Sequence, residues 1–198
     1  MLHFYASPEH LFRTVTMYPP DQRDAVFDQI VDAEGWYGGR FAVGHRAAYM
    51  RRRESIEQIM HDEFTAKYGR APSKHPVFFY LRPNLDLETV DRDLEQRRAR
   101  GETRTRYVLV DLTQIADTAH VSFTVFDSHR SYSERCPPDA GDPAPAMPIL
   151  RDQGTVFHIT EVAEVFARNR DVQDLSFEVQ FWDPSILRRA IAVEPPLR

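Results

Sequence analysis

The stretch Leu175-Ser176-Phe177-Glu178-Val179-Gln180-Phe181-Trp182-Asp183-Pro184 constrains the fold more than any other part of the chain. Phe177, Val179 and Phe181 alternate with Ser176, Glu178 and Gln180. A period of two puts the apolar row on one side of a β-strand and the polar row on the other. Such a strand needs sheet neighbours and a core under its apolar side. Asp183-Pro184 ends it, because proline cannot donate to a strand ladder. The polar row holds a carboxylate and an amide on the same side. On an open face Glu178 costs nothing. On a covered face the ionised carboxylate requires a partner, because an unpaired buried charge costs several kcal/mol. A covered Glu178 beside Gln180 is then a candidate functional group.

Periodicity and stop signals order the remaining elements. A short strand at 2–6 leads through Ser7-Pro8-Glu9, a helix start, to a helix carrying Leu11, Phe12 and Val15 that Tyr18-Pro19-Pro20 ends. A second helix is expected at about 21–33, with Gly35 as its C-cap. A long helix at 45–68 has the stripe Tyr49, Ile56, Met60, Phe64 and Tyr68, and Gly69 stops it. Arg51-Arg52-Arg53 reads first as its solvated face, with a phosphate-contacting patch as the sharper alternative. Residues 76–81 suit a central strand, and Asn84 or Asp86 caps a helix to about 100. Further strands are expected at 104–112, 120–126 and 155–159, and Thr160 caps a helix with Val162, Val165 and Phe166. A turn and a last strand follow at 186–193. This order predicts an α+β fold with a mixed or antiparallel sheet and helices in the N-terminal half. One domain over 1–198 is expected, with a proline-rich surface excursion or lid at about 127–154.

Composition removes several classes. The net charge of −5 and pI near 5.9 argue against a protein that coats DNA through bulk charge. Cys136 is the only cysteine, which leaves no intramolecular disulfide and no thiolate cluster. The N-terminus lacks the basic start and apolar run of a signal peptide, and no apolar segment reaches membrane-spanning length. A cytoplasmic protein without a membrane partner is expected. The eight histidines show no metal-ligand spacing. No nucleophile elbow, Walker loop or dinucleotide glycine fingerprint is present. Cys136 sits among prolines and reads as a free structural thiol. Phe126-Asp127-Ser128-His129-Arg130 reads first as an Asx-type turn, with an anion contact by His129 or Arg130 as the sharper alternative. Gly35-Trp36-Tyr37-Gly38-Gly39-Arg40-Phe41 is a loop able to bring backbone close to a ligand, with Tyr37 and Arg40 as candidate binding residues.

Three elements carry a family resemblance: an early histidine strand (Leu2-His3-Phe4-Tyr5), a middle aromatic strand ending in arginine (Val77-Phe78-Phe79-Tyr80-Leu81-Arg82), and the late Glu178 strand with its acidic-proline turn. In these the chain resembles the ADP-ribosyltransferase fold, specifically DarT-type enzymes that modify nucleic acid. The segments Ser122-Phe123-Thr124, Asp127-Ser128-His129 and Glu178-Val179-Gln180 also resemble a bacterial family of unknown function. The first resemblance implies NAD as substrate. It implies that His3 holds the ribose and Tyr80 stacks on nicotinamide, with Arg82 beside them. Glu178 would bond a ribose hydroxyl and stabilise the oxocarbenium-like state. The chain has Glu-x-Gln where toxin-type transferases often have Gln/Glu-x-Glu.

Two functions follow as expectations. One is an NAD-dependent ADP-ribosyltransferase or NAD glycohydrolase acting on a nucleic acid or protein target, with Glu178 catalytic and no metal. The alternative is a non-catalytic binding or regulatory module, such as an antitoxin, immunity protein or conflict-system accessory, with an unknown macromolecular partner. A metal hydrolase would require a His/Asp/Glu cluster assembled from distant residues.

Overall fold

A computed structural model of the chain describes residues 1–5, 11–33, 41–82, 87–99, 106–137, 151–172 and 175–190. Six strands form one sheet in the order β3-β1-β2-β6-β4-β5. They are β1 (Leu2–Tyr5), β2 (Val77–Leu81), β3 (Arg106–Leu109), β4 (Val121–Val125), β5 (Phe157–His158) and β6 (Phe177–Phe181). Every pairing between these strands is antiparallel. The described helices are α1 (Pro20–Ala33), α2 (Arg46–Tyr68), α3 (Leu87–Ala99), α4 (Ser128–Ser131), α5 (Val162–Arg168) and α6 (Pro184–Ala190). The α+β class and the antiparallel sheet are those the sequence predicts. Among the described residues no helix is long and apolar enough to cross a membrane.

The register fixes which side chains share a face, because residues directly opposite in an antiparallel ladder point the same way. Val77, Phe79 and Leu81 lie opposite Phe181, Val179 and Phe177, which lie opposite Val121, Phe123 and Val125 on the other side. These side chains form the main core. The other face carries Phe78 and Tyr80, then Gln180 and Glu178, then Ser122 and Thr124, strand by strand. β6 is buried at every residue, so its polar row is covered.

α2 is part of that cover. Its Ile56, Met60 and Phe64 pack with Trp182, Tyr132 and Val156 in a second cluster against Phe78. The helix ends where Gly69 takes φ +100°, a conformation that a side chain would strain, and its N–H bonds the Thr65 carbonyl at 3.2 Å. Under α2 the polar row satisfies itself. Trp182 Nε1 donates to Ser122 Oγ at 2.8 Å, and Ser122 Oγ to Gln180 Oε1 at 2.9 Å. Gln180 Nε2 donates to Thr124 Oγ1 at 3.2 Å and to the Glu178 carbonyl at 2.7 Å. A fully paired amide is what makes a buried glutamine tolerable in a sheet.

Three expectations change. Within 11–18 the chain forms a turn and a 3₁₀ turn (Val15–Met17) rather than an α-helix, and Phe12 is left-handed at φ 57°. The segment Pro184–Ala190 is the helix α6 where a turn was expected, and the last strand expected to follow it by 193 lies outside the described residues from 191 on. Asp183 Oδ1 accepts the Ser185 N–H at 3.0 Å, so Asp-Pro acts as N-cap and first helical residue. The turn before α5 is capped by His158 in a capping box with Glu161, rather than by Thr160. Within the described part of 127–154, Tyr132 is fully buried and its hydroxyl donates to Glu63 Oε2 at 2.8 Å, while 138–150, the centre of the expected excursion, lies outside the described residues.

Candidate functional site

Glu178 is the centre of the covered polar face. Tyr80 of β2 lies directly opposite on one side and Thr124 of β4 on the other. The carboxyl, 4% exposed, accepts the Ser128 backbone N–H on Oε2 at 2.9 Å. That donor is aimed by the exit of β4. Phe126 is left-handed at φ 61°, an unfavourable state for a bulky residue. It is held there by its N–H to the Ser176 carbonyl at 2.8 Å and by Thr124 Oγ1 donating to its carbonyl at 3.0 Å. The Arg130 guanidinium caps its ring at 3.7 Å. The reversed backbone presents Asp127 as N-cap of α4, with Oδ1 taking the Arg130 N–H at 3.1 Å. In place of the Asx-type turn expected from Phe126-Asp127-Ser128-His129-Arg130, Asp127 caps a short helix through the N–H three residues on.

Beside Glu178 stands a buried ionic chain. Arg53 Nε donates to Glu57 Oε1 at 2.7 Å, Arg53 Nη1 to Ser128 Oγ at 3.4 Å, and the guanidinium lies 3.8 Å over the Phe78 ring. Glu57 Oε2 is 2.7 Å from His75 Nδ1. Glu57 is 1% exposed, so its charge is answered entirely by these partners. Burial pulls the Arg53 guanidinium down, but Glu57, then Tyr49 and Glu178, more than offset this, and Arg53 stays cationic. Glu178 is also raised, which for a carboxyl favours the neutral form. Burial raises it to about 7, Arg53 opposes that, Asp127 adds to it, and the Ser128 hydrogen bonds oppose it. At neutral pH the group is poised between acid and carboxylate.

The charge run Arg51-Arg52-Arg53 is thus not a solvated face. Arg51 is exposed, but Arg52 and Arg53 are each 7% exposed. Arg52 donates to the Cys136 carbonyl at 3.0 Å and the His129 carbonyl at 2.8 Å. His129, also buried, stacks on Tyr49 with ring centroids 5.2 Å apart. Cys136 carries a free thiol.

His3 does not join Glu178 and Tyr80. Leu2 is opposite Tyr80, so Leu2 shares their face and His3 points to the apolar one, opposite Val108. There it packs on Phe79 and Phe12, with centroids at 5.0 and 5.7 Å. Burial lowers its pKa to about 4, the bond to Phe78 opposing. The ring is neutral, and since a carbonyl only accepts, Nδ1 carries the proton and donates to the Phe78 oxygen at 2.7 Å. Nε2 is then a buried acceptor with no hydrogen-bond partner among the described residues. Arg82 projects from the end of β2, where Nη1 bonds Asp93 Oδ2 at 2.9 Å. Tyr37 and Arg40 lie outside the described residues. Among the described residues no group of three or more His, Cys, Asp or Glu side chains is placed to hold a metal.

The sequence alone places Arg53 in a charge run and Ser128 in a turn, and singles out neither Glu57 nor His75. A signal for two of them was present. Arg53 and Glu57 are one turn apart and fall on the same stripe as Tyr49, Ile56, Met60 and Phe64, the side of the helix that faces the sheet. Compared with protein-family models, curated proteins and solved structures, the chain matches none.

Proposed function

We propose that the chain binds NAD and cleaves its nicotinamide–ribose bond, passing ADP-ribose to a macromolecular acceptor or to water. One observation carries this reading. The strands bearing His3, Tyr80 and Glu178 are immediate neighbours, β1-β2-β6, although long stretches of chain separate them, and Tyr80 stands directly opposite Glu178. In the reaction the bond from ribose C1′ to the pyridinium nitrogen breaks and nicotinamide leaves with the electron pair. An acceptor oxygen or nitrogen then bonds to C1′ and releases its proton to a base. Tyr80 supplies an aromatic surface for the nicotinamide. Ionised Glu178 stabilises the positive charge that develops on the ribose. Its pKa of about 7 lets it hold or release a proton at neutral pH. His3 enters this proposal as the residue that ties β1 to β2 through the Phe78 carbonyl, not as a ribose contact.

The test is nicotinamide release, followed by chromatography with protein and nucleic-acid pools as acceptors. The unmodified chain should release nicotinamide. Glu178→Gln should stop release while leaving the circular dichroism spectrum and cooperative unfolding intact. Absence of release with every acceptor, together with no NAD-dependent rise in melting temperature, rejects the proposal.

The burial of Glu178 favours a second reading, a non-catalytic binding or regulatory module. A carboxyl 4% exposed and answered by Ser128 N–H and Arg53 also suits a structural tie between α2, α4 and the sheet. In that case a defined protein partner co-purifies with the chain. Glu178→Gln leaves that capture unchanged, and NAD leaves the melting temperature where it was.

A further inference from the structure

Arg53 stands between two carboxyl groups and treats them differently. Among the described residues it forms its ion pair with Glu57, with Nε to Oε1 at 2.7 Å, and none with Glu178. Glu178 instead takes the Ser128 N–H, while Arg53 Nη1 reaches the Ser128 hydroxyl at 3.4 Å. The guanidinium plane is pinned over Phe78 at 3.8 Å. Glu57 is fixed in turn by His75, whose side chain is 32% exposed against 1% for Glu57. His75 belongs to a turn in which its N–H donates to Ser73 Oγ at 3.2 Å, and the Ser73 N–H bonds the Trp182 carbonyl at 3.0 Å. The chain His75–Glu57–Arg53–Ser128–Glu178 therefore runs from a half-exposed imidazole to the buried carboxyl, anchored at both ends on β6 and its exit.

An arginine free to turn would pair directly with a carboxylate this near, because a bidentate or short ion pair is the strongest option open to both groups. Such a pair would fix Glu178 in its ionised form and occupy the oxygens that a ligand hydroxyl needs. We propose that Glu57 is a positioning residue for the Glu178 site: it holds the Arg53 guanidinium close to Glu178 but unpaired with it, which keeps the Glu178 carboxyl able to exchange its proton and accept a ligand. The inference rests on the role proposed above for Glu178, but its test reads the carboxyl itself rather than NAD turnover. The charged and titratable groups around this point are Arg53, Glu57 and Tyr49 from α2, Asp127 and His129 at α4, and Tyr80 across β2. Of these only the Arg53–Glu57 pair is a cation held away from Glu178 by a second carboxylate.

The experiment titrates Glu178 by side-chain carboxyl ¹³C resonance in the full chain and in Glu57→Gln. Loss of Glu57 frees Arg53 to pair with Glu178, and a cation at pairing distance lowers a carboxyl by about 1–3 pH units. The Glu178 midpoint should therefore fall at least about tenfold in proton affinity. In an Arg53→Met background the same substitution should move it less than about threefold, since Glu57 acts through Arg53. An unchanged midpoint in Glu57→Gln, or an equal fall in both backgrounds, overturns the proposal. A measurement on the unmutated chain covers the case in which Glu57→Gln does not fold. The Arg53 Nε–H should stay protected from exchange on both sides of the Glu178 midpoint, because its bond to Glu57 persists. Loss of protection as Glu178 ionises shows that the guanidinium changes partners, and that result also overturns the proposal. Nicotinamide release decides the reaction independently of these readouts.

Discussion

Replacing Glu178 by glutamine should make the protein more tolerant of alkaline conditions, the reverse of what loss of a buried ion-pair member usually does. The carboxyl titrates near 4.5 when unperturbed and is raised to about 7 in the fold, chiefly by burial. The folded protein therefore binds this proton more tightly than the unfolded chain. The stability it contributes is fully present below 4.5 and is lost as pH rises from there to about 7. The gap between those values corresponds to about 3 kcal/mol. Glutamine keeps an oxygen for the Ser128 N–H and carries no charge, so the variant lacks this dependence. Urea unfolding of both proteins at fixed ionic strength, from about pH 4.5 to about 8, isolates the group, because every other titration cancels in the difference. Relative to the variant, the unmodified chain should lose about 3 kcal/mol across that range. Parallel profiles refute a raised Glu178 pKa. A difference of opposite sign does so more strongly, since it means Glu178 is held as an ionised partner of Arg53.

Three further outcomes follow from the same geometry. Arg53→Met removes the cation between Glu57 and Glu178. It should cost about 3–5 kcal/mol of unfolding free energy above about pH 7 and less near pH 5, where Glu178 is protonated; equal losses at both pH values contradict this. His3 is lowered to about 4, so its stabilising contribution is present above 6.5 and fades as pH falls toward about 4. Ring ¹⁵N spectra should show an Nδ1-protonated neutral imidazole that does not titrate between about pH 5 and 8; a midpoint near 6.5 contradicts its burial. Ser122→Ala leaves Trp182 Nε1 and Gln180 Oε1 without their buried partner and should cost about 1–3 kcal/mol in urea unfolding. A neutral result there means the polar row is open to water.

The parts of the fold legible in the sequence are those governed by local pattern. The alternation in 175–184 predicts β6, and its apolar row is the core row. The stripe and Gly69 stop predict α2 nearly to the residue. What escaped depends on partners far along the chain. Arg52 and Arg53 look solvated because a run of charge usually is. Their burial becomes tolerable through partners such as the carbonyls of His129 and Cys136 and the carboxylate of Glu57. Covering of the polar face is likewise a tertiary fact, and it turns Glu178 from a neutral surface residue into one with an altered pKa. The helix after Pro184 has a local signature as well: the Asp-Pro pair that stops the strand is also an N-cap followed by a favoured first helical residue. The adjacency of β1, β2 and β6 is topological and has no local signature. The separation of His3 from Glu178 by sheet parity then follows from a single register pair, Leu2 with Tyr80.

NAD is proposed to meet the protein on the Tyr80–Glu178 face. Titration of NAD into isotope-labelled protein tests it directly, with the Glu178 carboxyl, the Tyr80 ring and the His3 ring observed together. Saturable shifts are expected at Glu178 and Tyr80, with the His3 ring, on the opposite face of the sheet, unmoved. Shifts confined to His3, or none at any of the three at saturating NAD, contradict it.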